Sequence, residues 1–277
     1  MARINFDNKA SIYEQNALVQ KSASEVLLGL MSIREDEDVL DLGCGSGRTT
    51  REIALLTKGL VLGTDISEGM IDEAIHKTDG QANVRYLVKD AEYLGFIDKF
   101  DVIYCNSTFQ WFSNPEKVLK QCFTALKADG RMGIQAPATS MYCPNFVAAI
   151  EKVRIYPATK ATFGFFKNPW MFLESEEEYR KLFERCGFEV VKCKIIEESN
   201  RYTLDQVFGI YQSGAENGYL NQSFYTVPLM DEYVETFRCL IKKGFKEQAD
   251  ESGMVDLKFN RIYLVAKKPK KHNTMFY

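Results

Sequence analysis

Histidine is scarce in this 277-residue chain, which contains only His76 and His272. The seven cysteines include no pair at the C-x-x-C spacing that is typical of zinc and redox motifs. We therefore expect no metal site, and no mechanism built on a Ser-His-Asp or Cys-His arrangement. An odd number of cysteines in a chain with no secretory signal favours free thiols.

Long apolar runs and an excess of basic residues are also missing. No run of about 18 apolar residues indicates a membrane span, and no N-terminal apolar segment indicates a signal peptide. We therefore expect a cytoplasmic protein without membrane contact. A formal net charge of −3 disfavours DNA or RNA as a partner, and the basic cluster at 267–271 is interpreted as a solvated tail. The sequence leaves the oligomeric state open.

Glycine is concentrated in one turn. An apolar run that contains Asp41 leads into Gly43, Gly45 and Gly47, and a second apolar run ends at Asp65. Glycine lets the backbone bend tightly and approach a ligand, and an acid at the end of a second strand is where nucleotide-binding folds hold a ribose. The spacing differs from the G-x-G-x-x-G pattern that binds a pyrophosphate, so it favours a nucleoside without phosphates. A merely structural turn is the alternative.

The order of these elements resembles the class I S-adenosylmethionine-dependent methyltransferases, whose first motif is acid-x-Gly-x-Gly-x-Gly. Residues 65–70 resemble the D-x-S-x-x-M element of that family. Residues 89–92 resemble its G-D-A-E element, with Lys89 in place of the usual glycine. The resemblance implies that S-adenosyl-L-methionine is the cofactor.

The resemblance also implies roles for individual residues. Asp65 would bind the ribose hydroxyls, and Asp90 with Ala91 would bind the adenine edge. Met70 would flank the adenine or belong to the core, and Asn106 would contact the ligand or cap the next segment. The expected cofactor-binding residues are Tyr13, Asp41, Gly43, Cys44, Gly45, Arg48, Asp65, Ile66, Met70, Asp90, Ala91, Glu92 and Asn106.

Alternating strand and helix patterns predict an α/β fold, namely a Rossmann-like, seven-stranded, mostly parallel sheet flanked by helices. Helical periodicity over residues 6–31 predicts a lid helix, and strand alternation places the sixth strand at 188–196. Aromatic-rich helical patterns in the C-terminal half predict a cap. Within a single domain, 1–277, we expect a lid helix at 1–35, a cofactor-binding core at 36–137, substrate-cap segments at 138–173 and 203–250, and the remaining core at 174–202 and 251–268.

The acceptor has fewer signals than the cofactor. A carboxylate is ionised at neutral pH and needs no base, whereas an amine, phenol or carbon acceptor usually does. Residues 108–112 and the segment around Gln20 resemble the carboxyl O-methyltransferase group of trans-aconitate, juvenile hormone acid and malonyl-acyl-carrier-protein methyltransferases. The resemblance implies that Gln20 and Trp111 orient an acceptor carboxylate. The alternatives are that Trp111 is a core aromatic and Gln20 an exposed helix residue.

We therefore expect a small-molecule acceptor, either a carboxylic acid or an acyl thioester. Arg154 or Arg201 would meet a second anionic group if the acceptor were a dicarboxylate. One alternative function is N- or C-methylation of a small natural product, with Tyr13 or another tyrosine assisting proton removal. Another is a non-catalytic protein that binds S-adenosylmethionine.

Overall fold

A sheet of seven strands organises the chain, and the computed structural model describes residues 18–270 of the protein. The strand order is β3-β2-β1-β4-β5-β7-β6. Strands β1 to β5 pair in parallel, and β7 pairs antiparallel with both β5 and β6. This confirms the predicted mostly parallel α/β sheet. The strands are β1 (Val39–Leu42), β2 (Val61–Asp65), β3 (Val84–Val88), β4 (Phe100–Asn106), β5 (Leu126–Pro137), β6 (Glu189–Thr203) and β7 (Met254–Lys267).

Helices cover both faces of the sheet and form the cap. None of the helices in the described residues is both long and apolar enough to cross a bilayer. The helices are α1 (Leu18–Met31), α2 (Arg48–Ala54), α3 (Glu68–Lys77), α4 (Pro115–Ala125), α5 (Pro144–Ile155), α6 (Pro157–Phe163), α7 (Glu176–Arg185), α8 (Leu204–Ser213), α9 (Glu216–Tyr219) and α10 (Asp231–Lys246).

Each face of the sheet has its own hydrophobic core, because successive strand residues point to opposite faces. In β1, Val39 packs in one cluster with Leu27 of α1. The next residue, Leu40, packs in the other cluster with Val118 of α4 and Phe183 of α7. Burial on both faces explains why the central strands read as continuous apolar runs.

The sixth strand is longer than the sequence pattern predicts. The sequence predicts this strand over 188–196, whereas β6 continues to Thr203 because it stays paired with β7 as far as the Thr203–Met254 partners. Polar residues such as Glu197, Glu198 and Asn200 follow one another there and hide the alternation. The lid helix is described from Leu18 onward, and the earlier part of the predicted helix at 6–31 lies outside the described residues.

A third apolar cluster lies above the sheet in the cap. It joins α5, α8 and α10 to the first residues of β7, with Phe146, Tyr211, Phe237 and Val255 among its buried members. These helices come from the two segments that the sequence marks as aromatic-rich. The cap therefore has a core of its own, which fixes the helices above the carboxyl ends of the strands.

An ion pair ties the end of α1 to the sheet. The Arg131 guanidinium on β5 donates to both carboxylate oxygens of Glu37, at 2.6 and 2.8 Å, and its Nε–H donates to the Met31 carbonyl at 2.8 Å. Glu37 is only 2% exposed. Burial acts to raise the pKa of Glu37, but the bonds from Arg131 and Arg34 outweigh it and leave the pKa below its ordinary value.

Replacement of Arg131 by Gln is expected to lower the free energy of unfolding at pH 7 by about 3 kcal/mol, because it leaves a buried carboxylate paired only with the largely exposed Arg34. The contribution of the pair is present above the ordinary pKa of a glutamate and is lost as the pH falls through the lowered folded-state value. The deficit should therefore shrink towards pH 3. Urea unfolding at both pH values measures it.

The matched control is Lys58→Gln, because Lys58 pairs with Glu35 and both side chains are largely exposed. This change should cost less than about 1 kcal/mol. A loss in Arg131→Gln no larger than in Lys58→Gln would show that the Glu37 pair does not hold α1 to the sheet.

Candidate functional site

The glycine turn after β1 has two different requirements for glycine. Gly43 and Gly45 have φ angles of +75° and +55°, which L side chains rarely adopt. A Cβ at Gly43 would lie 2.2 Å from Cγ2 of Thr108, so packing excludes a side chain there. A Cβ at Gly45 would meet no protein atom within 4 Å. Gly45 borders the cavity described below, so a side chain there would occupy ligand space.

Asp65 joins this turn to the next one. It ends β2, and its carboxylate accepts from the Gly45 N–H at 2.9 Å and from the Ser67 N–H at 3.0 Å. Ser67 in turn caps α3 by accepting from the Met70 N–H. Asp65, Ile66 and Met70 all line the cavity. The structure therefore brings together the acid and the two apolar residues that the sequence assigned to ribose and adenine.

The turn after β3 supplies the third side of the same space. Asp90 caps a short 3-10 helix, Ala91–Tyr93, and accepts from the Glu92 N–H at 2.9 Å. Asp90, Ala91 and Glu92 line the cavity. Glu92 also lies 3.4 Å from the Lys117 ammonium, so its carboxylate is held towards α4.

A single cavity of about 950 Å³ runs from these turns to the underside of the cap. The turns after β1, β2 and β3 form one end, and residues from the cap and from β7 form the other. This volume is at the upper end of the range for small-molecule sites, so a nucleoside-sized ligand and a second small molecule fit together. We call the two ends the cofactor end and the acceptor end.

Four residues predicted to contact the cofactor, Asp41, Cys44, Arg48 and Asn106, are not in the described lining of this cavity, and their contact with the cofactor stays a prediction. Asp41 is buried behind the turn, where its carboxylate accepts from the Thr50 hydroxyl at 2.6 Å. Arg48 pairs with Glu52 at 3.2 Å. Motif position predicts proximity to the turn, but it does not say on which side of the turn a side chain lies.

Asn106 and Cys44 have local partners instead. With its amide nitrogen turned towards Asn106, Gln135 donates to the Asn106 Oδ1 at 2.9 Å. The Cys44 thiol donates to the Gly45 carbonyl at 3.6 Å. Asn106 therefore acts within the polar contacts at the ends of β4 and β5, and Cys44 within the turn itself.

The acceptor end lies beneath the cap. Trp111 follows β4 in a short 3-10 helix, Phe109–Trp111, and lines the cavity, where its ring centroid is 5.5 Å from that of Trp170. Tyr142 stacks on Phe172 with centroids 5.1 Å apart, and both line the same end. Trp111 thus lies at the cavity wall, and its role in orienting an acceptor carboxylate stays a prediction. Tyr13 and the side chain of Gln20 lie outside the described residues.

Sequence reasoning missed Arg261, which also lines the acceptor end. It is 3% exposed, and its Nη1 donates to the turned Gln135 amide at 3.0 Å. The available signal was a charged residue in the middle of the apolar strand β7. The two arginines that the sequence suggested for an anion are instead on the surface: Arg154 pairs with Glu151, and Arg201 pairs with Asp250.

Burial changes the acidity of Asp41. Desolvation raises the pKa of its carboxyl to about 7 in spite of the Thr50 bond, and the nearby Asp65 charge adds to the rise. Because the folded-state value exceeds the unfolded one, this group lowers stability progressively as the pH rises from about 4 to about 7. Above pH 7 the cost is constant.

The variant Asp41→Asn cannot ionise and should escape that cost. We expect its free energy of unfolding to be about 4 kcal/mol higher than that of wild type at pH 8, and nearly the same as that of wild type at pH 4. Urea titrations of both proteins at the two pH values measure this. Equal stability at pH 8 would mean that the Asp41 carboxylate is ionised without penalty.

Comparison with known proteins agrees with this geometry. Residues 40–134 match the model of a methyltransferase domain family. Over 129 residues the chain is 33% identical to malonyl-acyl-carrier-protein O-methyltransferase of Calditerrivibrio nitroreducens. This alignment covers 46% of this chain and 50% of that protein. The enzyme of the same name from Priestia megaterium is 28% identical over 90% of both chains.

The first of these alignments spans about half of the relative's length, so the comparison is strongest for the cofactor end. A crystal structure of a candidate methyltransferase from Bacillus halodurans superposes with a TM-score of 0.60 at 19% identity, over 90% of this chain and 100% of the other. That likeness extends the shared fold to nearly the whole molecule. Together with the motifs in the turns after β1, β2 and β3, these matches show that residues 40–134 are a methyltransferase domain and that the chain is similar to S-adenosylmethionine-dependent methyltransferases.

Proposed function

We propose that the protein transfers the methyl group of S-adenosylmethionine to a carboxylate of a small acceptor, forming a methyl ester. A carboxylate oxygen would attack the methyl carbon while the carbon–sulfur bond breaks and its electron pair stays on sulfur. The products are the ester and S-adenosylhomocysteine. No proton moves in this step, so the protein has only to bind and align the two molecules.

The observation that carries the proposal is the absence of a base among the described residues at the acceptor end. The carboxylates that line the cavity, Asp65, Asp90 and Glu92, belong to the cofactor end. Burial raises the pKa of the Tyr142 hydroxyl well above its ordinary value, so this tyrosine stays protonated. An acceptor that must lose a proton would find no partner among these groups, whereas a carboxylate needs none.

Neutral donors suit this reaction better than cations at the reacting oxygen. The carboxylate loses its charge as the ester forms, so a cation beside it would stabilise the starting state more than the transition state. The indole N–H of Trp111 can donate without that cost. We propose that Trp111 orients the acceptor, and that Gln20 assists from α1.

The named relatives support a carboxylate acceptor, since their names describe O-methylation of a malonyl group on a carrier protein. We propose that the acceptor is either a free carboxylic acid or a half-acid thioester of this kind. The cytoplasmic location expected from the sequence stays a prediction.

The test uses S-adenosylmethionine that is radiolabelled in its methyl group, with a panel of carboxylic acids and malonyl thioesters. We expect label that base treatment releases as volatile methanol. Trp111→Phe should lower kcat/KM at least tenfold with unchanged cofactor affinity, because it removes the N–H and keeps the ring. Trp170→Phe, at the other tryptophan of the chain, is the matched control and should cost less.

Base-stable label would contradict ester formation and would indicate methylation of nitrogen or carbon. Cofactor binding without any transfer across the panel would favour a non-catalytic binding protein. Equal losses in the two tryptophan variants would contradict the role of Trp111.

The cofactor end has a separate test at Gly45. Gly45→Ala should weaken S-adenosylmethionine binding at least tenfold, since the added methyl group enters the cavity. Its cost in stability should be about 1 kcal/mol, from the left-handed backbone alone. Calorimetric titration and urea unfolding measure the two effects.

The matched control is Gly80→Ala, because Gly80 has φ +72° and no protein atom within 4 Å of its added Cβ. Gly80 is not in the lining described for the cavity, so this variant should show the same small loss of stability and normal cofactor affinity. If Gly45→Ala also binds normally, the cofactor does not approach the turn at Gly45.

A further inference from the structure

Arg261 is unusual among the cations that line the cavity. In the described part of the chain these are Lys89, Lys167 and Arg261. Lys167 is exposed and Lys89 is half-buried, whereas Arg261 is 3% exposed. A cation at such depth is rarely retained unless it is paired or binds a ligand. The cofactor end does not explain why the cation of Arg261 is buried at this position.

The protein groups around Arg261 hold its guanidinium but do not satisfy it. The Glu198 carboxylate lies 3.0 Å from Nε, yet the buried Nε–H has no acceptor in hydrogen-bond geometry among the described residues. Glu198 also accepts from the Tyr263 hydroxyl. On the opposite side, Nη1 donates to Gln135. Burial lowers the pKa of Arg261, as expected for a cation that is incompletely compensated.

The position of Arg261 separates it from the reacting centre. It is paired with Pro137 at the carboxyl end of β5, whereas Trp111 follows β4. Strands β4 and β7 flank β5, and a spacing of about 4.8 Å per strand puts their backbones roughly 10 Å apart. The Arg261 side chain extends from β7 as far as Gln135 on β5, to which it donates a hydrogen bond. An acceptor held at Trp111 therefore has room to extend one short chain towards Arg261.

The surroundings favour a charged contact over a merely polar one. Phe259 lies under the guanidinium, with its centroid 4.8 Å from Cζ, and aromatic rings from the cap form the walls of this end. An ion pair between such walls is stronger than one in water. A cation at the reacting carboxylate would slow the transfer. Arg261, which lies away from Trp111, is therefore suited to bind a group of the acceptor that does not react.

Building on the proposed function, we propose that Arg261 binds a second carboxylate of the acceptor, so that the preferred substrate is a short-chain dicarboxylate of which one end is methylated. The first carboxylate is at Trp111 and the second pairs with the Nη edge of the guanidinium. Glu198 occupies the Nε side of the guanidinium and Gln135 bonds to Nη1, so Nη2 is the nitrogen that we assign to the second carboxylate. A half-acid thioester, which has a neutral group at this point, would be a poorer acceptor.

The test compares free diacids of three to six carbons with their monoamides, which have the same length and one charge fewer. Wild-type protein should show a KM at least tenfold lower for the best diacid than for its monoamide. Arg261→Gln should abolish this preference by raising the diacid KM, with a smaller change in kcat. Arg261→Lys, which keeps the charge, should retain part of it.

Two controls separate recognition from folding. Arg154→Gln makes the same change at an exposed arginine and should leave the preference intact. The double variant Glu198→Gln, Arg261→Gln removes the carboxylate that the single change leaves uncompensated, and it should also lose the preference. Normal S-adenosylmethionine affinity in each variant shows that the cavity is still formed.

Methylation of carboxylates with no preference for diacids, or a preference that survives Arg261→Gln, would overturn the role of Arg261 and leave the proposed function standing. If no acid is methylated, the proposed function fails, and binding to protein loaded with S-adenosylhomocysteine decides the inference. Calorimetry should then detect a diacid in wild type and at least tenfold weaker binding in Arg261→Gln. Absent or unchanged binding would refute it.

Discussion

The hydrogen bond from the Gly45 N–H to the Asp65 carboxylate joins the first turn of the sheet to the second, and the cofactor end depends on it. The bond holds Gly45, which has no side chain, and the Asp65 carboxylate at the same edge of the sheet. It also leaves the acid at the cavity wall, where it can meet the hydroxyl groups of a ribose. The parallel arrangement of β1 and β2 makes this possible, because their carboxyl ends lie side by side.

The reaction proposed for this cavity consumes charge: a carboxylate and a sulfonium become an ester and a thioether. A low-dielectric cavity favours such a step, because neither product is charged at the reacting atoms. The protein should then keep its own cations away from the reacting oxygen. The buried cation of the cavity fits this requirement, because Arg261 lies on β7, two strands away from β4, which Trp111 follows.

The cofactor end was largely predictable from the sequence. Gly43, Gly45, Asp65, Met70 and Asp90 come at fixed intervals after short apolar strands, so a linear motif already specifies their neighbourhood. Asp41, Arg48 and Asn106 show the limit of such reasoning. Their side chains lie beside or behind the turn, and only the backbone geometry and partners such as Thr50, Glu52 and Gln135 reveal this.

The acceptor end could not be predicted in the same way. Arg261 and Tyr142 are far from Trp111 in the chain, and they border the same cavity only because β7 inserts between β5 and β6 and the cap folds over the sheet. Helical patterns indicated the cap, but aromatic residues in its helices serve its own core as well as the cavity. Which of them face the acceptor depends on tertiary packing, and no spacing in the sequence encodes it.

The most direct test of the central claim is the chemical identity of the atom that is methylated. Transfer from S-adenosylmethionine with a ¹³C-labelled methyl group, followed by NMR of the product, distinguishes methyl on oxygen, nitrogen and carbon. The account predicts a labelled O-methyl ester on an acid, with a coupling from the methyl protons to the carboxyl carbon. A labelled methyl on nitrogen or carbon would contradict it.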